Sequence, residues 1–569
     1  MCNASLRKSA ARSVKSDPNP PTVLLLTPPF VQLNTPYPAT PHLTGWLARQ
    51  GVRVIQRDLS ITVAHDMLRT YGPQPLTDAV VDFLQGRTPD EAETFAEPGS
   101  LPEGPAFDEL EHVPFDPDPT VRARLRCSLF LDDLAAAIRD EIDPDFGFSR
   151  YAEHLGQAVP DFGILLRRLR RKAPTDRFLE KRTAEILQAE TDKTAPLYVG
   201  VTCPFPGTLL GAFRIAQCVR RLRPDAVLVL GGGYVNTELR DLNDPRVTRF
   251  FDVIHYDEGY APWSRLLGLP DEPIPPFIKP SYKGLDLTRY LDLTETANPM
   301  HRLWSDGRWI KLQLARGCYW GKCAFCDVTL DYINCFAMPS AETLVDAMQQ
   351  LAAETGENGF HFTDEAIPPA LARALSKEIL RRKFRCRWWG NVRFDAAYTP
   401  SLTRLMAQAG CLAVTGGLEC AHDRLLTLMN KGITLDSARQ ALTHFADAGI
   451  LTHAYLMYAF PTQTAAEAKA ALRYVRDRFR EGVLQSAFFH RFALTIHSPI
   501  ARDPERFGIT PLPPPSVKHR FALNEIPYQE PRAPDWARIG KSLHWALYNY
   551  MLGLGLEKSP DFWFTHEPA

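Results

Sequence analysis

The sequence predicts two α/β units in series: a doubly wound N-terminal domain, then a partial barrel of six βα repeats. Three observations carry this expectation. Short apolar runs alternate with helical patterns along most of the chain, as in parallel βαβ units. Glycines and acidic residues recur just after those runs, where parallel sheets gather their ligands. Cys318, Cys323 and Cys326 stand together directly after the alternating stretch Trp309 to Leu314.

In the N-terminal half, Thr22 to Phe30 is a continuous apolar run bounded by prolines, as expected for a strand buried on both faces. Leu43 to Gln50, ended by Gly51, leads into Val52-Arg53-Val54-Ile55. After a long interruption come a strand at Leu197 to Val201, a helix at Leu210 to Leu222, and a strand at Ala226 to Leu230 that ends in Gly231-Gly232-Gly233. Phe251 to Ile254 and the acidic turn Asp257-Glu258-Gly259 complete a doubly wound pattern. Bare glycines after a strand suit a ligand that must approach backbone closely.

The interruption, about 66–195, matches neither unit. It shifts to acidic, proline-punctuated stretches such as Pro114 to Pro119, then to helical ones such as Leu129 to Ile142. The basic run Arg167 to Lys172 reads as the solvated face of a helix, with phosphate or RNA contact as the other reading.

The second unit begins with the strand before the cysteines. Ser340 can cap a helix with Leu344, Met348 and Leu351 on one face and Gly356 past its end. Strands are then expected at Gly359 to Thr363, Arg385 to Phe394, Leu412 to Thr415, Ile450 to Phe460 and Ser486 to Leu494. Helices fall between them, including Leu371 to Ile379, Leu402 to Gln408, a stretch through Ala446, and Ala465 to Phe479. Right-handed crossovers should curl such repeats into a partial barrel with ligands at the strands' C-terminal ends. Asp364-Glu365, Arg393 and Gly416-Gly417-Leu418-Glu419 all fall at those ends.

A 4Fe-4S cluster normally takes four cysteine thiolates, so a run that offers three leaves one iron free for a reactive ligand. The alternative is zinc, because Cys335 could complete a four-sulfur site.

The cysteine run resembles the cluster motif of the radical S-adenosylmethionine (SAM) enzymes, with C-x4-C-x2-C in place of the usual C-x3-C-x2-C. That resemblance implies that Cys318, Cys323 and Cys326 hold a 4Fe-4S cluster whose open iron chelates SAM. It further implies that Asp364 or Glu365 accepts hydrogen bonds from the SAM ammonium, that Arg393 faces its carboxylate, and that Gly416, Gly417 and Glu419 form the Gly-x-Glu element near its ribose or ammonium. Ala459 to Thr464 resembles the Gly-Phe-Pro-Gly-Glu-Thr element of this branch, with both glycines and the acid replaced. The order of proline-ended strand, triple glycine, acidic turn and cysteine run resembles the cobalamin-binding-domain class of these enzymes. It implies bound cobalamin near Gly231, Gly232 and Gly233. No Asp-x-His-x-x-Gly motif is present, so His65 is expected to be an ordinary helix-surface histidine, with cobalamin held base-displaced.

The implied activity is C-methylation of an unactivated carbon in a natural-product or peptide substrate, with electrons from a donor such as flavodoxin or ferredoxin. The alternatives are a rearrangement or cyclisation without methyl transfer, and a non-catalytic zinc- or cluster-binding protein. Domain boundaries are expected at 1–20 (a disordered tail), 21–275, 276–305 (a linker), 306–498 and 499–569 (an aromatic-rich extension). Its aromatics, among them Trp536, His544, Trp545, Tyr550 and Trp563, are core or a roof over the barrel mouth.

Composition fits an enzyme with ample cores: 569 residues, 45% hydrophobic. A formal charge of -1 gives no global field to draw nucleic acid or an anionic membrane. No apolar run reaches the ~18 residues of a membrane span, and the start lacks a signal peptide's apolar core. Eleven cysteines without regular pairing point to a reducing, cytoplasmic setting. None follows Cys420, so no cysteine-rich C-terminal extension for auxiliary clusters is expected.

Overall fold

The computed structural model describes residues 21–149, 153–157, 161–192, 194–294, 298–305, 308–513 and 518–566. The tail expected over 1–20 lies outside these. The described residues fall into two compact units: 21–112, 116–294 and 518–524 form the first, and 113–115, 298–513 and 525–566 the second.

The first unit holds a parallel sheet of β1 (Thr22–Thr27), β2 (Arg53–Asp58), β3 (Leu197–Thr202), β4 (Val227–Gly231) and β5 (Val253–Ile254), ordered β2-β1-β3-β4-β5. In this doubly wound order the direction of winding reverses between β1 and β3, where such sheets bind ligands. All of β1 is buried. It stops at Thr27, short of the expected Phe30, since Pro28 and Pro29 have no N–H for the ladder. Val23, Leu25, Trp46, Val229 and Trp263 pack as one core.

The interruption is helical, with Leu59–Tyr71, Pro119–Glu141 and Asp176–Glu190 its longest helices. The basic run is exposed at Arg167, Arg170, Arg171 and Lys172, as a solvated face should be, while Arg168 turns inward, its guanidinium pairing with Asp143 at 3.2 Å and Asp176 at 3.3 Å, because a buried cation needs charged partners. One expectation fails here. His65 is not on the surface: it is 7% exposed, and the Arg289 carbonyl accepts from its Nε2 at 2.8 Å. The segment read as a linker also belongs partly to this unit, for Tyr290 donates to Asp58 at 2.7 Å and Gln56 to the Ser281 carbonyl at 2.7 Å. So do residues 518–524, where the Leu523 amide donates to the Glu238 carbonyl at 2.8 Å.

The second unit is a parallel six-stranded sheet ordered β11-β10-β9-β8-β7-β6. Its strands are β6 (Ile310–Leu312), β7 (Gly359–Phe362), β8 (Arg387–Val392), β9 (Cys411–Glu419), β10 (Leu451–Tyr458) and β11 (Ser486–Arg491). β9 runs longer than expected, so Gly416 and Gly417 lie within it. The single helix expected through Ala446 is two, Asp423–Leu428 and Leu435–Asp447. Asn430 and Gly432 separate them, both with positive φ, which no helix accommodates. In the C-terminal extension Trp536, Tyr550 and Trp563 are buried, and the helix Trp536–Met551 packs on β11 and the helix Ala465–Arg480. Those three aromatics are core.

Candidate functional site

The cysteine loop starts where β6 ends, and Asp364 fixes its first residues. That carboxylate, buried just past β7, accepts from the Leu314 amide at 2.9 Å and the Ala315 amide at 2.7 Å. Burial raises its pKa to about 7 against the opposing pull of those two N–H groups. Both oxygens are thus committed to backbone. Of the two carboxylates expected near the SAM ammonium, Asp364 or Glu365, this leaves Asp364 the less free. Glu365 beside it is exposed yet set deep enough that its pKa is raised by burial, and among the described residues it accepts no hydrogen bond. It is the available carboxylate of the pair.

Paired hydrogen bonds between Arg316 and Ala337, at 2.9 and 3.1 Å, close the loop's base, and the Cys318 amide donates to the Ile333 carbonyl at 2.9 Å. Gly317 has φ +70°, and a Cβ there would lie 2.6 Å from the Cys335 carbonyl, so only glycine fits. Cys318, Cys323 and Cys326 are all partly exposed on this loop. Burial pushes the Cys326 thiol up to about 12, with Glu365, Cys323 and Cys318 among the charges that add to it. Burial likewise raises Cys323, and Cys318 acts on it. The three sulfurs therefore lie within electrostatic reach of one another. Cys335 is exposed, and among the described residues no group of three or more His, Cys, Asp or Glu is already drawn into a metal cage. A three-thiol set on a braced, partly open loop fits a cluster with one iron left for an exchangeable ligand.

The longer loop is anchored by Trp320. Its indole N–H donates to the Asn430 carbonyl at 2.9 Å, and the Arg393 guanidinium lies 4.4 Å from its ring centroid. Gly432 lies against the ring, where any Cβ would collide with it. Arg393 is 5% exposed and also donates to the Lys431 carbonyl. This corrects its expected role: the guanidinium supports the loop and does not present a fork to a carboxylate.

At the end of β9, Glu419 pairs with Lys431, Oε1 to Nζ 2.6 Å, both nearly buried. Burial alone would lower the Lys431 pKa, but Glu419 and Cys323 outweigh it and raise it. Gly417 makes the pair possible, since a Cβ there would strike the Glu419 carboxylate and lie 2.7 Å from Lys431 Nζ. Gly416 serves packing instead, its Cβ position being 2.8 Å from the Val392 carbonyl and 2.8 Å from the Phe394 ring. Lys431 was missed from sequence, although its Asn-Lys-Gly turn was a visible helix breaker. Lys431→Met is expected to cost on the order of 3 kcal/mol in denaturant unfolding, because it strands a buried carboxylate. Adding Glu419→Gln should recover part of it; strict additivity of the two substitutions would mean that they are not a pair.

β10 ends in Ala459 to Thr464. Ala459 (φ 62°) and Thr462 (φ 66°) are left-handed although neither is glycine, which is strained for a β-branched threonine. Glu530 holds that strain in place by accepting from the Thr462 amide at 2.6 Å, and Arg424 donates to the Thr462 carbonyl at 2.9 Å. Across the sheet's inner face, Asn391 donates to the Asp364 carbonyl at 2.8 Å, and Thr415 donates to Asn391.

In the first unit, Gly232 (φ +115°) would place a Cβ 2.6 Å from the Cys203 amide nitrogen and 2.6 Å from its carbonyl oxygen. Its glycine is demanded by neighbouring backbone, which corrects its reading as room for a ligand. Gly233 is tight against the Pro204 carbonyl at 3.1 Å, whereas Gly231 has nothing nearer than the His255 carbonyl at 3.4 Å. Gly231 is the open position.

Residues 312–475 match the radical SAM superfamily. An uncharacterized methyltransferase of Pyrococcus horikoshii is 23% identical over 310 residues, 50% of this chain and 65% of the relative. The anaerobic magnesium-protoporphyrin IX monomethyl ester cyclase of Rubrivivax gelatinosus is 23% identical over 320 residues, 50% of this chain and 54% of the relative. The chain thus spans between half and two thirds of the length of these curated relatives. The structure of the radical SAM methyltransferase TsrM from Kitasatospora setae, with cobalamin and a 4Fe-4S cluster bound, aligns over 92% of this chain and 90% of TsrM with a TM-score of 0.52 and 17% identity. The fold is shared across both units, and the second carries a radical SAM domain, an enzyme domain that works with a 4Fe-4S cluster and SAM. No helix among the described residues is long and apolar enough to cross a membrane.

Proposed function

We propose that this chain is a cobalamin-dependent radical SAM methyltransferase acting on an unactivated carbon of a small-molecule or peptide substrate. The observation that carries the reading is the pairing, in one chain, of a radical SAM domain with a five-stranded unit of order β2-β1-β3-β4-β5 whose β4 ends in an open glycine. Cys318, Cys323 and Cys326 would hold the cluster, Glu365 and Glu419 the polar end of SAM, and the β4 end around Gly231 the cobalamin. When bound, these groups supply the electron, the radical precursor and the methyl group, chemistry no side chain can provide.

The chain's own residues orient and shield. Asp364, Trp320 and the Arg316–Ala337 pair keep the cysteine loop in one shape before anything binds. Glu365, exposed and without a hydrogen bond among the described residues, would accept from an ammonium. Lys431 holds Glu419 at the end of β9 and keeps a positive charge beside Cys323, which favours thiolate there. His65 already donates to a carbonyl, so any cobalamin is expected without a protein imidazole on cobalt. A flavodoxin or ferredoxin in the cytoplasm would supply electrons. Likeness to a named cyclase over half the chain keeps cyclisation without methyl transfer as the second reading.

The test is anaerobic protein incubated with hydroxocobalamin, desalted, and examined by visible and electron-paramagnetic spectroscopy. Base-displaced cobalamin should be retained. Gly231→Val should release it without loss of fold, His65→Ala should retain it, and Gly232→Val should unfold the unit whether cobalamin is present or not. Colourless wild-type protein, apart from its cluster, would leave cyclisation or rearrangement as the better reading.

A further inference from the structure

We propose that Tyr455 and Phe488 form an aromatic wall that seats a planar, unsaturated ring of the substrate beside Glu419 and Lys431; this rests on the reading above and names its substrate class. Register places the residues. Gly417 of β9, Tyr455 of β10 and Phe488 of β11 lie side by side in one row of the sheet. Period-two alternation sends Leu456 and Phe489 to the opposite, buried face.

Exposure is what sets the pair apart. Tyr455 is 39% exposed and Phe488 49%, on strands whose other apolar residues are mostly buried. The stacked His361 and Trp389, two rows nearer the strands' N-terminal ends, fill their part of the sheet with ring centroids 3.5 Å apart. Nothing in the row of Tyr455 does the same. Gly417 contributes no side chain, so the neighbour on the β9 side is the Glu419–Lys431 pair folded over it.

The wall is preset. The Tyr455 ring meets the His453 ring edge to face, centroids 4.9 Å apart, which braces it from the row below. His490 lies 4.5 Å from the Phe488 ring and 6.4 Å from that of Tyr455, closing the group, and Glu419 acts electrostatically on it. A flat ring can then lie against two aromatic groups while its polar substituents meet His490 and the ion pair. Ring quadrupoles favour an unsaturated ring over a saturated one of the same outline by about two- to twelvefold per contact. An aliphatic substrate would gain nothing from such a wall that leucines would not give.

The experiment compares 2-naphthol with decahydro-2-naphthol, two alcohols of one outline, by anaerobic calorimetry on full-length protein with its cluster reconstituted. Wild-type protein should bind the naphthol at least several-fold more tightly. Phe488→Leu and Tyr455→Leu should erase that preference, and Phe488→Tyr should keep it. Both side chains are half in solvent, so the leucine variants should fold, and their melting curves check this. Equal affinity for the two alcohols, no binding of either, or an unchanged preference in both leucine variants overturns the wall. SAM cleavage by wild-type protein is measured alongside: its absence counts against the proposed function, while the ring preference is read independently.

Discussion

Replacing Cys318, Cys323 and Cys326 together by alanine is expected to bring iron and sulfide content, and 5'-deoxyadenosine formation from SAM under reducing conditions, to background. The loop's shape does not depend on its thiols. It is closed by the Arg316–Ala337 pair, pinned at its start by Asp364, and anchored by Trp320 on Asn430 and Gly432. The triple variant should therefore melt within a few degrees of wild-type protein that has been stripped of iron. Loss of cluster then reports lost ligands and not a lost fold. Cys335→Ala is the control, since Cys335 is exposed at the C-terminal end of the short helix Asp331–Asn334. Its iron content should match wild type. A full cluster in the triple variant, or an empty one in Cys335→Ala, would overturn the ligand assignment.

The strands were legible because a parallel strand buried on both faces needs a continuous apolar run, and Thr22 to Thr27 or Leu197 to Val201 can hardly be anything else. The cysteines were legible because their ligand set is local in sequence. What stayed hidden depends on where side chains turn at the strand ends. Asp364 and Glu365 are adjacent, yet one is buried against the backbone of β6's end and the other is exposed, a division that follows from tertiary hydrogen bonds and not from spacing. Lys431 lies twelve residues from Glu419 and meets it only because the helix Asp423–Leu428 stops and the chain turns back. Gly231 and Gly232 look alike in sequence, and only the path of Cys203 tells which of them has room. The inward turn of Arg168 alone within its basic run was hidden for the same reason: its acidic partners come from elsewhere in the helical interruption. The glycines of the element that Ala459 to Thr464 resembles are replaced, but positive φ persists at Ala459 and Thr462, the latter held by Glu530 from the C-terminal extension.

Asp364→Asn is expected to loosen the cysteine loop and lower cluster retention, by roughly ten- to a hundredfold in iron affinity, as for other groups that orient metal ligands. An asparagine keeps one acceptor oxygen for either the Leu314 or the Ala315 amide, but its NH2 then points a donor at the other. One buried amide is left unpaired, at about 1–3 kcal/mol. Hydrogen exchange at those two amides should quicken. Glu365→Gln is the contrast, because it leaves the loop untouched: the cluster should stay full while SAM affinity falls about tenfold with the loss of a charged hydrogen bond. The Asp364 carboxyl also makes a pH signature. Its folded pKa, raised to about 7 by burial, lies above the ordinary aspartate value near 3.8, so between these pH values the folded protein holds more protons than the unfolded chain. Stability from this group is fully present below the lower value and is lost as pH rises through the upper one, with a limiting slope of about 1.4 kcal/mol per pH unit. Asparagine cannot titrate. Wild-type apoprotein should therefore lose more stability than Asp364→Asn apoprotein between pH 5 and pH 7.5 in urea unfolding. Parallel losses in the two proteins would mean that Asp364 keeps an ordinary carboxylate pKa, its two backbone hydrogen bonds then outweighing the cost of burial.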